Sequence, residues 1–294
     1  MQTGQGTVTV NGTELAYLEL GAGPLALCLH GFPDSPATFR YLLPALADAG
    51  YRAVAPYMRG FAPSGLAPDG DYSTDVLVRD ANALHEALGG DGGAVIIGHD
   101  WGAVAAWGAP VAEPDRWHKV VAADILPLPV CAEVLMAPAQ LHRGAHYWLL
   151  QMAAANVIVP ADDFAYLDHL WSAWSPRYAD PSVDLAAVKD CLREPANTAA
   201  ALGLYRSLFP TDRFGTDDWA AAQGAAWGAI PERPTLYLHG TADGLFPIDD
   251  GVLARVGALL AKGSEAAFVD GAGHHLFVER PDEVNGRVLT FLAA

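Results

Sequence analysis

The pentapeptide Gly98-His99-Asp100-Trp101-Gly102 stands between an apolar run, Ala94–Ile97, and a stretch with helical spacing. It fits a glycine–any–nucleophile–any–glycine pattern, in which a sharp strand-to-helix turn holds a nucleophile at the carboxyl edge of a sheet. Glycines are needed there because the turn is strained and the next helix packs close. Alone, the pentapeptide reads equally well as an Asp that caps a helix. Three other strand-end features shift the balance. His30-Gly31-Phe32-Pro33 follows the run Leu25–Leu29, where a backbone N–H for an oxyanion hole would sit. His239-Gly240-Thr241-Ala242-Asp243 follows Thr235–Leu238 and places a carboxylate at a strand terminus. Gly271-Ala272-Gly273-His274 follows Ala266–Val269 and places an imidazole on a glycine-rich loop. A nucleophile, an acid and a histidine in that chain order point to a catalytic triad.

The elements that must hold these residues are short β-rich runs alternating with Ala/Leu-rich ones. Thr7–Val10 and Leu15–Leu20 flank Asn11-Gly12, a hairpin signal. Leu25–Leu29 is apolar on both faces, as expected of a strand buried between helices. Helices are predicted over Ala37–Ala49, Thr74–Leu88 and Val104–Val111, and strands over Tyr51–Ala55, Ala94–Ile97 and Val120–Ile125. From about Pro127 to Pro231 the strand signal fades. Helical stretches appear there at Leu141–Ala155, Asp162–Ala173, Leu185–Leu192 and Thr198–Leu208. Alternation resumes with Thr235–Leu238, Asp249–Leu260, Ala266–Val269 and Asp282–Leu292. The β-α alternation predicts an α/β protein with a mostly parallel sheet flanked by helices. We expect a core domain of residues 1–126 and 232–294, interrupted by a helical cap of residues 127–231.

Composition removes several function classes. The 294 residues are 52% hydrophobic and 17% charged, with a net charge of −17. Such an acidic surface repels phosphate backbones and anionic lipid, so neither nucleic acid nor a membrane is an expected partner. Three cysteines do not make a disulfide framework or a zinc site. The N-terminus lacks the basic start and apolar stretch of a secretion signal. No uncharged apolar run reaches the roughly 18 residues of a membrane span. A cytoplasmic location is the expectation, and a homodimer stays open.

With these motifs the chain resembles the α/β-hydrolase superfamily over nearly its whole length. It looks most like the Asp-nucleophile branch, which holds epoxide hydrolases, haloalkane dehalogenases and haloacetate dehalogenases. The resemblance implies an eight-stranded, mostly parallel sheet with a helical cap inserted after the sixth strand. It also implies Asp100 as nucleophile, His274 as base, Asp243 as the acid that orients it, and the N–H groups of Phe32 and Trp101 as oxyanion hole. Asp124, in Ala123-Asp124-Ile125, competes with Asp243 for the acid role. A carboxylate nucleophile displaces an alkoxide or halide from saturated carbon and becomes an alkyl ester. Water deprotonated by the histidine then hydrolyses that ester. An ordinary esterase would need Ser at position 100.

Ring opening of an epoxide needs an acid for its oxygen, whereas halide loss needs donors around an anion. The insertion must supply either. Tyr205, in Leu204-Tyr205-Arg206, matches the place of one cap tyrosine of epoxide hydrolases. The family's other tyrosine lies five residues before a glutamine, and five before Gln151 is His146, with Tyr147 beside it. Either could be the second donor. Haloacetate dehalogenases place a histidine, an aromatic and a tyrosine around the halide, to which His146, Tyr147 and Tyr205 would correspond. They also hold the substrate carboxylate with arginines where this chain has Trp101 and Val104. Haloalkane dehalogenases usually carry Asn or Glu where Phe32 stands. We therefore expect epoxide hydrolysis, with dehalogenation as the alternative and a catalytically silent ligand-binding fold behind both. The substrate would be small, apolar or weakly polar, with water as co-substrate.

Other features have plainer readings. The aromatic residues between Tyr147 and Tyr178 suit cap core and pocket lining. His142 and His146 have helical i,i+4 spacing, but no further ligand accompanies them, so no metal is expected. Gly21-Ala22-Gly23 lacks the third glycine of a dinucleotide fingerprint, and no cofactor is expected. Cys28 lies in a buried strand and should be inert. His275 is expected to pack or to face solvent.

Overall fold

The computed structural model describes residues 3–294. Its one sheet has eight strands in the order β1-β2-β4-β3-β5-β6-β7-β8. β1 (Gly4–Val10) and β2 (Thr13–Gly21) form a hairpin. Both turn residues, Asn11 and Gly12, have positive φ, as a two-residue turn matched to strand twist demands. β3 (Leu25–Leu29), α1 (Leu42–Asp48), β4 (Arg52–Pro56), α2 (Thr74–Ala87), β5 (Val95–His99), α3 (Trp101–Ala112) and β6 (Lys119–Ala123) follow. β2 meets β4 antiparallel, and every pairing from β4 through β8 is parallel. The resemblance's expected topology is therefore the one present.

Strands β3, β5 and β6 are buried at every residue because both sheet faces are covered. Leu25, Leu27, Leu29, Ile96 and Val120 point into one core, whereas Ala26, Cys28, Val95, Ile97 and Val121 point into the other. Each fully buried aliphatic side chain contributes about 1.5–3 kcal/mol. The two cores clamp the sheet on which the strand-end loops are mounted. Lys119 is buried against the back, where its Nζ donates to the carbonyls of Phe291 and Leu292 at the end of the last helix.

After β6 come eight helices before the next strand: α4 (Leu128–Leu135), α5 (Pro138–Arg143), α6 (Ala145–Leu149), α7 (Ala155–Ile158), α8 (Ala161–Trp174), α9 (Ser182–Leu192), α10 (Pro195–Leu208) and α11 (Asp217–Trp227). The chain then completes the sheet with β7 (Thr235–Gly240), α12 (Asp250–Leu259), β8 (Glu265–Val269), α13 (Leu276–Glu279) and α14 (Pro281–Ala293). Among the described residues no helix is long and apolar enough to cross a membrane.

Several predicted elements are cut differently. The helix expected over Ala37–Ala49 is a 3-10 turn, Pro36–Phe39, followed by α1. Pro44 explains the break, since it has no N–H to donate to residue 40 and its ring clashes with that carbonyl. The helix expected over Leu141–Ala155 is three short ones, interrupted first at Gly144. A Cβ there would lie 2.3 Å from the Tyr147 ring, so the close approach requires glycine. Helices α4 and α11 had no counterpart in the periodicity. Pro127, just before α4, and Pro129 in its first turn masked it, although proline in a first turn forfeits no hydrogen bond. In α11 the Thr216 side chain caps the Trp219 N–H, ahead of an Ala-rich run with little amphipathic contrast.

The loop between β4 and α2 is tied down by Arg59, which is 1% exposed. Its guanidinium makes a bidentate pair with Asp80 (Nη2–Oδ1 2.6 Å) and donates to the Asp71 carbonyl. Removing one member of such a pair strands a buried charge. Asp80→Leu is expected to lower unfolding free energy by about 3–5 kcal/mol in urea titration, and adding Arg59→Met should recover most of it. Equal stability of Asp80→Leu and wild type would show the pair to be dispensable.

Candidate active site

Asp100 sits between β5 and α3 at φ 52°, ψ −120°, a conformation that L-residues rarely adopt. Three glycines make it possible. A Cβ on Gly98 would lie 2.1 Å from the Gly102 carbonyl oxygen, and one on Gly102 would lie 2.0 Å from that of Leu29. One on Gly31 would lie 2.2 Å from Asp100 Oδ1. Helix α3 consequently begins at Trp101, directly after the elbow rather than at Val104.

The Asp100 carboxylate is buried. Its Oδ1 accepts from the Phe32 N–H at 2.8 Å, and its Oδ2 lies 3.6 Å from His274 Nε2. Burial alone would raise this carboxyl, but the attraction of the His274 ring and the Phe32 amide hold it below the ordinary range. Trp101 opens α3, whose first-turn N–H groups lack intrahelical partners. The oxyanion-side loop is held by His30. That ring bonds the Gly31 carbonyl through Nδ1 (2.9 Å) and accepts from the Met58 N–H at Nε2 (3.1 Å), so Nδ1 carries the proton.

His274 Nδ1 meets Asp243 Oδ2 at 3.1 Å, and its Nε2 has no hydrogen-bond partner. Burial disfavours the imidazolium, yet Asp243 and Asp100 together raise its pKa well above the usual value. Asp243 Oδ1 accepts from the Leu245 and Phe246 N–H groups (2.7 and 3.0 Å). Its carboxyl, although buried, is held low by His274. Of the two competing acids, then, Asp243 touches the imidazole. Asp124 accepts from the Gly240 N–H at 3.0 Å, and its Oδ2 is unpartnered, 3.6 Å from His99 Nε2. Burial and the neighbouring Asp243 charge push the Asp124 carboxyl well above the ordinary carboxylate range.

Tyr205 on α10 and His146 on α6 are both buried over the nucleophile loop. The Tyr205 ring stands edge-on to Phe32 and Trp101, at 5.4 and 5.1 Å. His146 lies 5.4 Å from Tyr205 and 4.9 Å from Trp174 between ring centres, with Nε2 unpartnered. Burial drops its pKa to about 3. Tyr147 lines the same cavity as Tyr205, stacked on Phe209 at 4.5 Å and on Tyr205 at 6.2 Å. Gln151 Nε2 donates to the carbonyls of Tyr147 and Tyr205, which ties the two segments together. His142 is exposed and His146 buried, because the helix breaks at Gly144 between them.

No motif announces the end of α8. There the Trp174 carbonyl accepts from the N–H groups of both His274 (3.1 Å) and Gly244 (2.9 Å). Trp171 Nε1 donates to the Pro33 carbonyl at 2.7 Å. Ser175 Oγ bonds the backbone N–H and the Nδ1 of His275, a buried ring stacked flat on Trp171 at 3.5 Å. His275 therefore packs and does not face solvent. His99 was also unassigned: its Nε2 donates to the His274 carbonyl at 2.8 Å, and its Nδ1 lies 3.4 Å from Asp34.

Two buried triplets, His99/Asp124/His274 and Asp124/His239/Asp243, bring metal-ligand atoms within 4.8 Å of one another. Most of their ring nitrogens already hold protein partners: His99 Nε2 the His274 carbonyl, His239 the Tyr237 hydroxyl and the Phe246 carbonyl, and His274 Nδ1 Asp243, whereas His99 Nδ1 and His274 Nε2 have none. The arrangement is a proton and hydrogen-bond network under the nucleophile. Above it opens a narrow cavity of about 70 Å³, lined almost wholly by apolar side chains together with Asp100.

A family model for the α/β-hydrolase fold matches residues 24–281. The chain is 30% identical to epoxide hydrolase A of Mycobacterium tuberculosis, over 97% of this chain and 96% of that protein. It is 29% identical to an epoxide hydrolase of Caballeronia sordidicola, over 97% and 92%. Among solved structures, epoxide hydrolase A of Mycobacterium thermoresistibile superposes with a TM-score of 0.81 at 25% identity, covering 100% of this chain and 99% of that one.

The ion triad has a pH signature. Asp100 and Asp243 lie below 3.8 when folded, so their contribution to stability is complete above that value and fades as pH falls through the lowered ones. His274 lies above 6.5, so its contribution is complete below 6.5 and fades as pH rises through the raised value. In Asp100→Asn, His274 loses an anionic neighbour, and its imidazole pKa is expected to fall in an NMR titration. An unchanged value would break the assigned pairing.

Proposed function

This chain belongs to the α/β-hydrolase family, and on that premise we propose that it hydrolyses epoxides to vicinal diols through a covalent ester on Asp100. The observation that carries the reading is a carboxylate, rather than a hydroxyl, on the strained elbow, with the Phe32 N–H on one oxygen and His274 facing the other. Relatives named as epoxide hydrolases support it along nearly the full chain.

Asp100 attacks an epoxide carbon while the Tyr205 hydroxyl protonates the leaving oxygen. Tyr147, which stacks on Tyr205 in the wall of the same cavity, is the second donor at that oxygen, and His146, neutral and packed against both rings, holds them in place. Ester formation neutralises Asp100. His274 thereby loses one of the two anions that raise its pKa; its Nε2 proton restores the tyrosinate left at Tyr205, and the neutral ring is then the base for the next step. Water deprotonated at Nε2 attacks the ester carbonyl, whose developing oxyanion faces the N–H groups of Phe32 and Trp101. Asp243, clamped by two amides, orients the ring and stabilises the imidazolium that forms.

In this reading residues 1–126 and 232–294 form the catalytic core, and the cap of residues 127–231 supplies the acid and the pocket. Three free, buried thiols suit a reducing, cytoplasmic setting. The side chains named all come from one chain, so a homodimer would add none to the chemistry.

Displacement of halide would use the same Asp100 and His274, and product analysis separates the two. With styrene oxide we expect diol, and with chloroacetate or fluoroacetate no halide; halide release without diol formation reverses the assignment. Asp100→Ala is expected to abolish turnover with the fold intact, and His274→Gln to accumulate an alkyl ester visible by mass. Tyr205→Phe should lower kcat by about 10²–10⁴-fold. Full activity in the Asp100 variant would end the proposal.

A further inference from the structure

The cavity over Asp100 is lined by Val104, Ile125 and, on α4, Leu128 and Cys131, and the one exposed residue of its lining, Ala132, marks its mouth beside half-buried Leu135, so the space between defines an arm under α4. Half-buried Leu208 and Trp219 line the facing side of this mouth. Beyond the nucleophile in the opposite direction the space is filled by rings. Trp174 packs on His274 at 5.3 Å and on His146 at 4.9 Å, and Trp171 lies on His275. Trp171 and Trp174 are 1% and 3% exposed, and each is fixed by a backbone contact to a catalytic-side loop. That wall cannot yield without disturbing the His274 and Pro33 loops it holds.

An epoxide whose oxygen faces Tyr205 and whose reacting carbon faces Asp100 can therefore extend only along the arm. The arm also fixes polarity. Asp100 is the one charged side chain among its lining residues, so an ionised substituent would be desolvated without a counter-charge. A carboxylate substituent would meet the Asp100 charge as well. We infer that the substrates are terminal epoxides bearing one uncharged apolar substituent, which lies in the arm under α4, and that epoxides substituted in trans on both ring carbons are excluded. This inference rests on the epoxide-hydrolase reading of the same site.

The test compares the terminal and the trans internal octene oxides, isomers of equal size, and then propylene oxide, with wild type and Ala132→Trp. Ala132 is exposed at the mouth and lies outside the catalytic groups. Wild type should favour the terminal isomer in kcat/KM by about 100-fold or more. Ala132→Trp, which narrows the arm, should lower kcat/KM for the terminal octene oxide at least about tenfold and change propylene oxide by less than about threefold. Comparable turnover of the two isomers by wild type overturns this inference alone, as does an equal loss on both chain lengths in the variant. Diol from none of the epoxides overturns the hydrolase reading, and this inference with it.

Discussion

A carboxylate placed at the floor of an apolar cavity is unstable unless something replaces the water it has lost. For Asp100 that replacement is one backbone N–H, from Phe32, and the ring of His274, whose Nε2 lies 3.6 Å from Oδ2. Both must arrive on the correct side of a residue that is itself in a strained conformation. Much of the surrounding architecture follows from this requirement. Glycines at 31, 98 and 102 let three backbone segments meet within contact distance of the elbow, at places where any Cβ would overlap a neighbour. His30 fixes the peptide that carries the Phe32 amide, and Arg59 and Asp80 fix the loop to which His30 is tied.

The cap takes part in that support. The end of α8 supplies one carbonyl to the amides of both His274 and Gly244, one indole to Pro33, and one hydroxyl to His275. These contacts reach the acid loop, the histidine loop and the oxyanion-side loop from a single turn of helix. This end of the insertion therefore belongs to the catalytic frame. The helices bearing the arm of the cavity, α4 and α11, do not share those ties, and variation there can change shape without moving the elbow.

What could be read from the sequence divides along a physical line. Strand-end motifs were legible because glycine, histidine and aspartate are constrained by type: only glycine tolerates the close approaches at 98 and 102. Fully apolar strands such as Leu25–Leu29 and the hairpin at Asn11-Gly12 were legible for similar reasons. Of the cap helices, α8, α9 and α10 were legible as periodic stretches, whereas α4 and α11 were not, because proline-led and alanine-rich segments lack strong apolar periodicity. The ties from α8 were silent for a deeper reason. A carbonyl at position 174 is the same atom whatever the side chain, so no residue type announces that it will hold His274.

The two candidate acids show where spacing stops and electrostatics decides. Asp124 and Asp243 end neighbouring parallel strands, so chain order brings both beneath one imidazole. Asp100, Asp124 and Asp243 cannot all be ionised around a single positive ring at this burial, since like charges in a low-dielectric site raise one another's pKa. The proton settles where hydrogen bonding to the charged form is poorest. Asp243 has two amide donors on one oxygen and His274 on the other. Asp124 has one amide donor and an oxygen with no partner. The donor count therefore favours the negative charge on Asp243 over Asp124, a distinction set by backbone N–H groups of residues 240, 245 and 246, the last two of which lie outside every motif.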